Sequence, residues 1–113
     1  MLLSLWVSSM AIKNQLIEPL LRRKIRDIAK ITQNIILRYD RDENKRLNEQ
    51  LNELWDYLND LSSIESKTIK ELIISMAIAS EACLLGAISR DQLITYMVRN
   101  EAVSSLINNV DYI

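Results

Sequence analysis

Histidine and phenylalanine are absent from this chain, and glycine, proline and cysteine occur once each among 113 residues. Each shortage removes a class of structure or chemistry. Without an imidazole there is no Ser-His or Cys-His nucleophile and no Glu-x-x-His di-iron bundle. One glycine cannot build a phosphate-cradling loop. With glycine and proline so scarce, the turns a β-rich chain needs are missing as well, so the chain is expected to be all-α. The lone Cys83 forms no intrachain disulfide. That fits a reducing compartment, and the expectation is a cytoplasmic protein in which Cys83 is a small buried hydrophobe. An enzyme is not expected, nor a cofactor, a metal or a small-molecule substrate.

Long apolar runs are missing too. The N-terminal "MLLSLWVSSMAI" falls short of the roughly 20 apolar residues of a membrane span. It also lacks the basic start and small-residue cleavage site of a signal peptide. It is read as a short helix or extended arm docked on the rest of the chain. Leu2, Leu3, Leu5 and Trp6 ahead of a basic segment give the alternative of an interfacial anchor, so a membrane-surface protein is the second alternative function. Met10 is a second candidate start, which would place residues 1–9 outside the natural chain.

What is present is 49% hydrophobic and 26% charged residues, the profile of a folded globular chain. Its length suits a single helical domain, residues 1–113. The net charge of −1 hides an asymmetry. Residues 1–46 carry a net +5 and residues 47–113 a net −6. Either the two halves pack with opposite charges near each other, or the basic half faces an anion.

Periodicity divides the chain into a bundle of four main helices, about 19–39, 42–61, 64–86 and 90–107, with room for a short N-terminal fifth. In the first, Leu21, Ile25, Ile28, Thr32, Ile35 and Tyr39 form one seam, and Pro19 suits a first helical turn. The seam stops at "DRDEN", where Asp40 and Glu43 have the residue types of an N-cap and its partner. A new seam of Leu47, Leu51, Leu54, Leu58 and Leu61 follows out of phase. Its heptad spacing resembles a coiled coil, but about two heptads are too few for one, so it is read as the inward face of the second helix. The back of that helix carries an acidic stripe, Glu49, Glu53, Asp56 and Asp60. Ser62 and Glu65 are spaced as the next capping box. Gly86 is a natural left-handed end for the third helix. Ser89 with Gln92, and Ile88 with Leu93, make a capping box and hydrophobic staple for the fourth.

Two helix faces are candidates for function. On the first helix, Arg22, Arg26 and Lys30 fall on one stripe with Arg23 beside it, the pattern of contact with phosphates or an acidic protein. No aromatics are interleaved, so base stacking is not indicated. On the third helix, Ile74, Ile78 and Leu85 lie on the face that also holds Lys67, Glu71 and Glu81. Half of its most polar face is therefore large and apolar, and the expectation is that a second copy or another protein covers it. Ser75, Ala79, Ala82 and Gly86 form a neighbouring stripe of small residues that lets a helix approach closely. Two other motifs fail. "DRDEN" lacks the spacing and glycine of a calcium loop. "SEACLLGAISRDQLITYMVR" would need an apolar residue at Gln92 to be a helix-turn-helix, and has few base-reading side chains.

The expected function is a non-enzymatic helical adaptor or small subunit, working through helix-face contacts in a larger assembly or as a homodimer. The alternative is a nucleic-acid-associated accessory subunit of a replication, transcription or defence complex.

Overall fold

The computed structural model describes residues 19–59 and 64–109, and all regular structure among them is helical. Five helices follow one another: α1 (Pro19–Leu37), α2 (Arg41–Leu58), α3 (Ile64–Leu84), α4 (Arg90–Arg99) and α5 (Glu101–Asn108). They close into a ring. α1 packs on α2, α2 on α3, and α4 and α5 together complete the ring between α3 and α1. Cross-helix bonds fix the directions. Lys24 meets Glu53, while Asn44 meets Ser80 and Asn48 meets Ala77, so α2 runs antiparallel to both neighbours. This is the four-stave bundle expected, with the last stave broken in two.

The seams account for the core. Leu21, Ile25, Ile28, Thr32 and Ile35 of α1 and Leu47, Leu51, Leu54 and Leu58 of α2 are all buried. Ile69, Ile73 and Met76 of α3, Leu93 and Met97 of α4, and Val103 and Leu106 of α5 fill the space between them. At about 1.5–3 kcal/mol for each fully buried large apolar side chain, this contiguous interior is the main favourable contribution to folding. The leucine repeat of α2 therefore faces inward. Leu61, Ser62, the side chain of Glu65 and the expected N-terminal helix lie outside the described residues.

Helix ends show the chemistry of their caps. Asp40 has an extended backbone, and its carboxylate accepts from the Asp42 and Glu43 amides at 2.8 and 3.4 Å, so the break after the first seam is real. α2 stops at Leu58 rather than residue 61, with the Asn59 amide donating to the Trp55 carbonyl at 3.1 Å. α3 ends in a Schellman turn: the Ala87 amide donates to the Ala82 carbonyl at 2.8 Å and the Gly86 amide to Cys83 at 3.1 Å. Gly86 has φ +80°, and an added Cβ would meet nothing within 4 Å. Gly86→Ala is therefore a test of backbone strain alone. It is expected to lower stability by about 1–2 kcal/mol in a denaturant titration, the cost of the left-handed region for an L residue.

The capping box before α4 closes in both directions: the Ser89 amide donates to Gln92 Oε1 at 2.8 Å, and the Gln92 amide to Ser89 Oγ at 3.1 Å. Leu93 is buried and Ile88 packs against the core, as a hydrophobic staple places them.

The expected single helix over 90–107 is corrected. Asn100 has φ −71° and ψ 116°, ends α4 and begins α5. Its Oδ1 accepts from the Val103 amide at 3.0 Å, and its Nδ2 donates to the Tyr96 hydroxyl at 3.3 Å. A side chain that caps the next turn competes with continuing the previous one. The bend keeps both Met97 and Val103 buried. Gln33 Nε2 then donates to the Ile107 carbonyl at 3.0 Å, tying α5 to α1.

Candidate interaction surfaces

The outward side of α3 is built by its sequence. Its inward side holds Ile69, Ile73, Met76 and Ser80, and turning the helix half-way round brings Ile74, Ile78 and Leu85 to the surface. These are 41%, 64% and 77% exposed. Beside them Ser75 is exposed, and Ala79 and Ala82 are half-buried. A shallow groove of about 160 Å³ runs between α2 and α3, bounded by Asn52, Trp55, Ile74, Ala77, Ile78 and Glu81. Lys70 sits 5.7 Å over the Trp55 ring and holds that aromatic wall from one side. Leu37 and Val98 are the other exposed large hydrophobics among the described residues, each on a different helix.

One cation of α1, off the stripe of Arg22, Arg26 and Lys30, is used inside the molecule. Lys24 Nζ donates to Glu53 Oε2 at 3.1 Å, joining the basic helix to the acidic back of α2. This is the opposite-charge packing of the two halves that the charge asymmetry allowed. Arg22 is half-buried, and its Nε is shielded from solvent with no hydrogen-bond partner. Arg23, Arg26 and Lys30 are exposed. The stripe that sequence spacing draws through Arg22, Arg26 and Lys30 therefore presents to solvent through only part of its length. Among the described acidic residues, Glu49, Glu53 and Asp56 are exposed on the back of α2.

A polar cluster was not anticipated. Asn44 is fully buried one step ahead of the leucine seam. Its Nδ2 donates to the Tyr39 hydroxyl at 3.2 Å and to the Ser80 carbonyl at 3.3 Å. Ser80 Oγ donates back to Asn44 Oδ1 at 2.5 Å. The Cys83 thiol reaches the Tyr39 hydroxyl at 3.6 Å. Cys83 is thus half-buried and hydrogen-bonded, rather than a fully buried hydrophobe. Burial raises the Tyr39 pKa above 10.0. The Cys83 hydrogen bond adds to the rise, and the Asn44 bond opposes it. The phenol stays neutral at physiological pH, which suits a joint between helix ends. The signal for this cluster was the spacing from Asn44 to Leu47, which continues the seam backwards.

Among the described residues, no three His, Cys, Asp or Glu side chains gather where a metal ion would be held. No described helix is long and apolar enough to cross a membrane. No protein family model, curated protein or solved structure matches this chain.

Proposed function

We propose that this chain is a non-enzymatic helical interaction module, an adaptor or small subunit whose working surface is the outward side of α3. One observation carries the reading: Ile74, Ile78 and Leu85 leave a ridge of large apolar side chains in water along a single helix. Scattered exposed hydrophobics are ordinary in folded proteins, but an aligned row beside a groove is the form that helix-docking surfaces take. The fold supports the reading by what it spares. α3 already contributes Ile69, Ile73 and Met76 to the core, so the outer row is not needed to hold the bundle together.

Phosphate or acidic-protein contact through α1 is the weaker proposal, because Arg22 at one end of the stripe is half-buried and its Nε is shielded from solvent.

The test is affinity capture from cells expressing the chain, with wild type and Ile78→Asp compared by quantitative mass spectrometry. Ile78→Asp is expected to keep its circular dichroism and midpoint of unfolding, since the side chain is 64% exposed. Retention of the bound protein is expected to drop about tenfold or more, the change that roughly 1.4 kcal/mol produces. Indistinguishable sets of captured proteins would remove α3 as the working surface.

A further inference from the structure

We propose that the chain's own N-terminal segment, residues 2–12, seats along the α2–α3 groove and covers Ile74, Ile78 and Leu85 until a partner displaces it. This rests on the interaction reading above and adds how that surface is governed. Reach comes first. α2 runs antiparallel to α1, so the Lys24–Glu53 pair sets Pro19, five residues before Lys24, level with Leu58 at the end of α2. Trp55, one wall of the groove, lies within a turn of Leu58. Residues 13–18 therefore have only α2 to cross. A helix is about 10–12 Å across with its side chains, and six extended residues reach about 20 Å.

Composition and length then fit the seat. Residues 1–12 carry no charged side chain, so none is taken out of water in an apolar groove. At helical spacing Leu2, Leu3, Trp6 and Met10 fall on one side, and Ser4, Ser8 and Ala11 on the other. Eleven residues of helix are about 16 Å long, the distance along α3 from Ile74 to Leu85. Entering from the Trp55 end, the segment runs with Ile12 toward Ile74 and Leu2 toward Leu85. Its first charge, Lys13, falls where the chain crosses the back of α2, on which Asp56 is exposed. Leu37 and Val98, the other exposed large hydrophobics among the described residues, stand singly and offer no seat of that length. Tethering gives the segment a local concentration on the order of millimolar, so a modest apolar contact holds it.

The chain has two tryptophans, Trp6 and Trp55. Trp55→Phe keeps an aromatic wall on the groove and leaves Trp6 as the sole reporter. In the full-length Trp55→Phe chain, fluorescence emission is expected to be blue-shifted, as for an indole out of water, and independent of protein concentration. Adding Ile78→Asp is expected to move it to the position of the urea-unfolded chain, with circular dichroism retained. Val98→Asp, on another helix, is expected to leave it unchanged. In affinity capture, Trp6→Asp is expected to raise retention of the bound protein several-fold, because it frees the surface. Emission at the unfolded position from the folded Trp55→Phe chain overturns the proposal. So does a blue shift that survives Ile78→Asp or appears only as concentration rises. The two readings fail separately. A water-exposed Trp6 in a chain whose Ile78→Asp variant loses captured protein removes the segment and leaves the interaction surface standing. A Trp6 that answers to Ile78→Asp while the captured proteins do not leaves the segment seated and removes the partner.

Discussion

Leu51→Ala is expected to lower the unfolding free energy by about 3–5 kcal/mol, the upper part of the range for truncating a fully buried leucine. Leu51 is 0% exposed and borders a small apolar void shared with Ile25, Ile28, Ile73 and Leu106. Helices α1, α2, α3 and α5 all reach that point, so the backbone on each side is held by other contacts. The site cannot collapse around the missing methyl groups. The truncation joins its own volume to a gap already present, and cost grows with the size of the cavity left. A chain of this length has a total stability of about 6–17 kcal/mol, so a single substitution removes a large share of it. The measurement is a urea titration monitored by circular dichroism. A midpoint within experimental error of wild type would show that the leucine repeat is not the centre of the core. Leu85→Ala in the same assay is the contrast, expected within about 0.5 kcal/mol because the side chain is in water.

The second large effect is at Asn44, and here the chemistry matters more than the volume. Asn44→Asp keeps the shape but removes the amide that donates to Tyr39 and to the Ser80 carbonyl. It then directs a carboxylate toward oxygen atoms in a site without solvent. The expected loss at neutral pH is about 3 kcal/mol or more, since an unsatisfied buried polar group costs 1–3 and a charged one more. The sign with pH follows. Burial raises the folded-state pKa of the new acid above its unfolded value near 3.9. Between those two values the folded state binds more protons than the unfolded one, so stability falls as pH rises through that window. The deficit against wild type is therefore smallest near pH 4 and widens toward pH 7. A deficit that does not change with pH would mean that the carboxylate has reached solvent by moving α2. Asn44→Leu separates polarity from packing, because it removes the polar group but leaves Ser80 to find another acceptor.

These two positions also show what the sequence discloses. Leu51 was legible because five leucines at alternating spacings of four and three can only line one side of a helix, and a short chain has one interior to offer. Caps were legible for the same local reason. Asp40, Ser89, Gln92 and Gly86 act within three or four residues of themselves, and the structure shows each bond. Asn44 obeys the same spacing as the leucines, three residues before Leu47, yet its polarity placed it with the solvent-facing "DRDEN". Its burial depends on Ser80, thirty-six positions away. Asn100 was obscured differently. Its neighbours keep an apolar rhythm, and only the tertiary demand to bury both Met97 and Val103 decides that its side chain caps a new helix. On the surface, the exposure of Ile74, Ile78 and Leu85 followed from α3 lacking a polar side. The partial loss of the basic stripe did not, because the half-burial of Arg22 is set by tertiary packing and not by its spacing along α1.

The ring of staves has a consequence for how the chain reaches its shape. Along α1 to α4, each helix packs on the next one in sequence, so most of the interior assembles from segments that are already neighbours along the chain. The exception is the seam between α1 and the last two helices, where Gln33 reaches Ile107. That closure joins the most distant described segments, and it has the greatest chain entropy to overcome. Topologies of this kind fold in microseconds to milliseconds. The contacts of Leu106 and Ile107 should mature late, after α2 and α3 have met, and variants there should change the unfolding rate more than the folding rate.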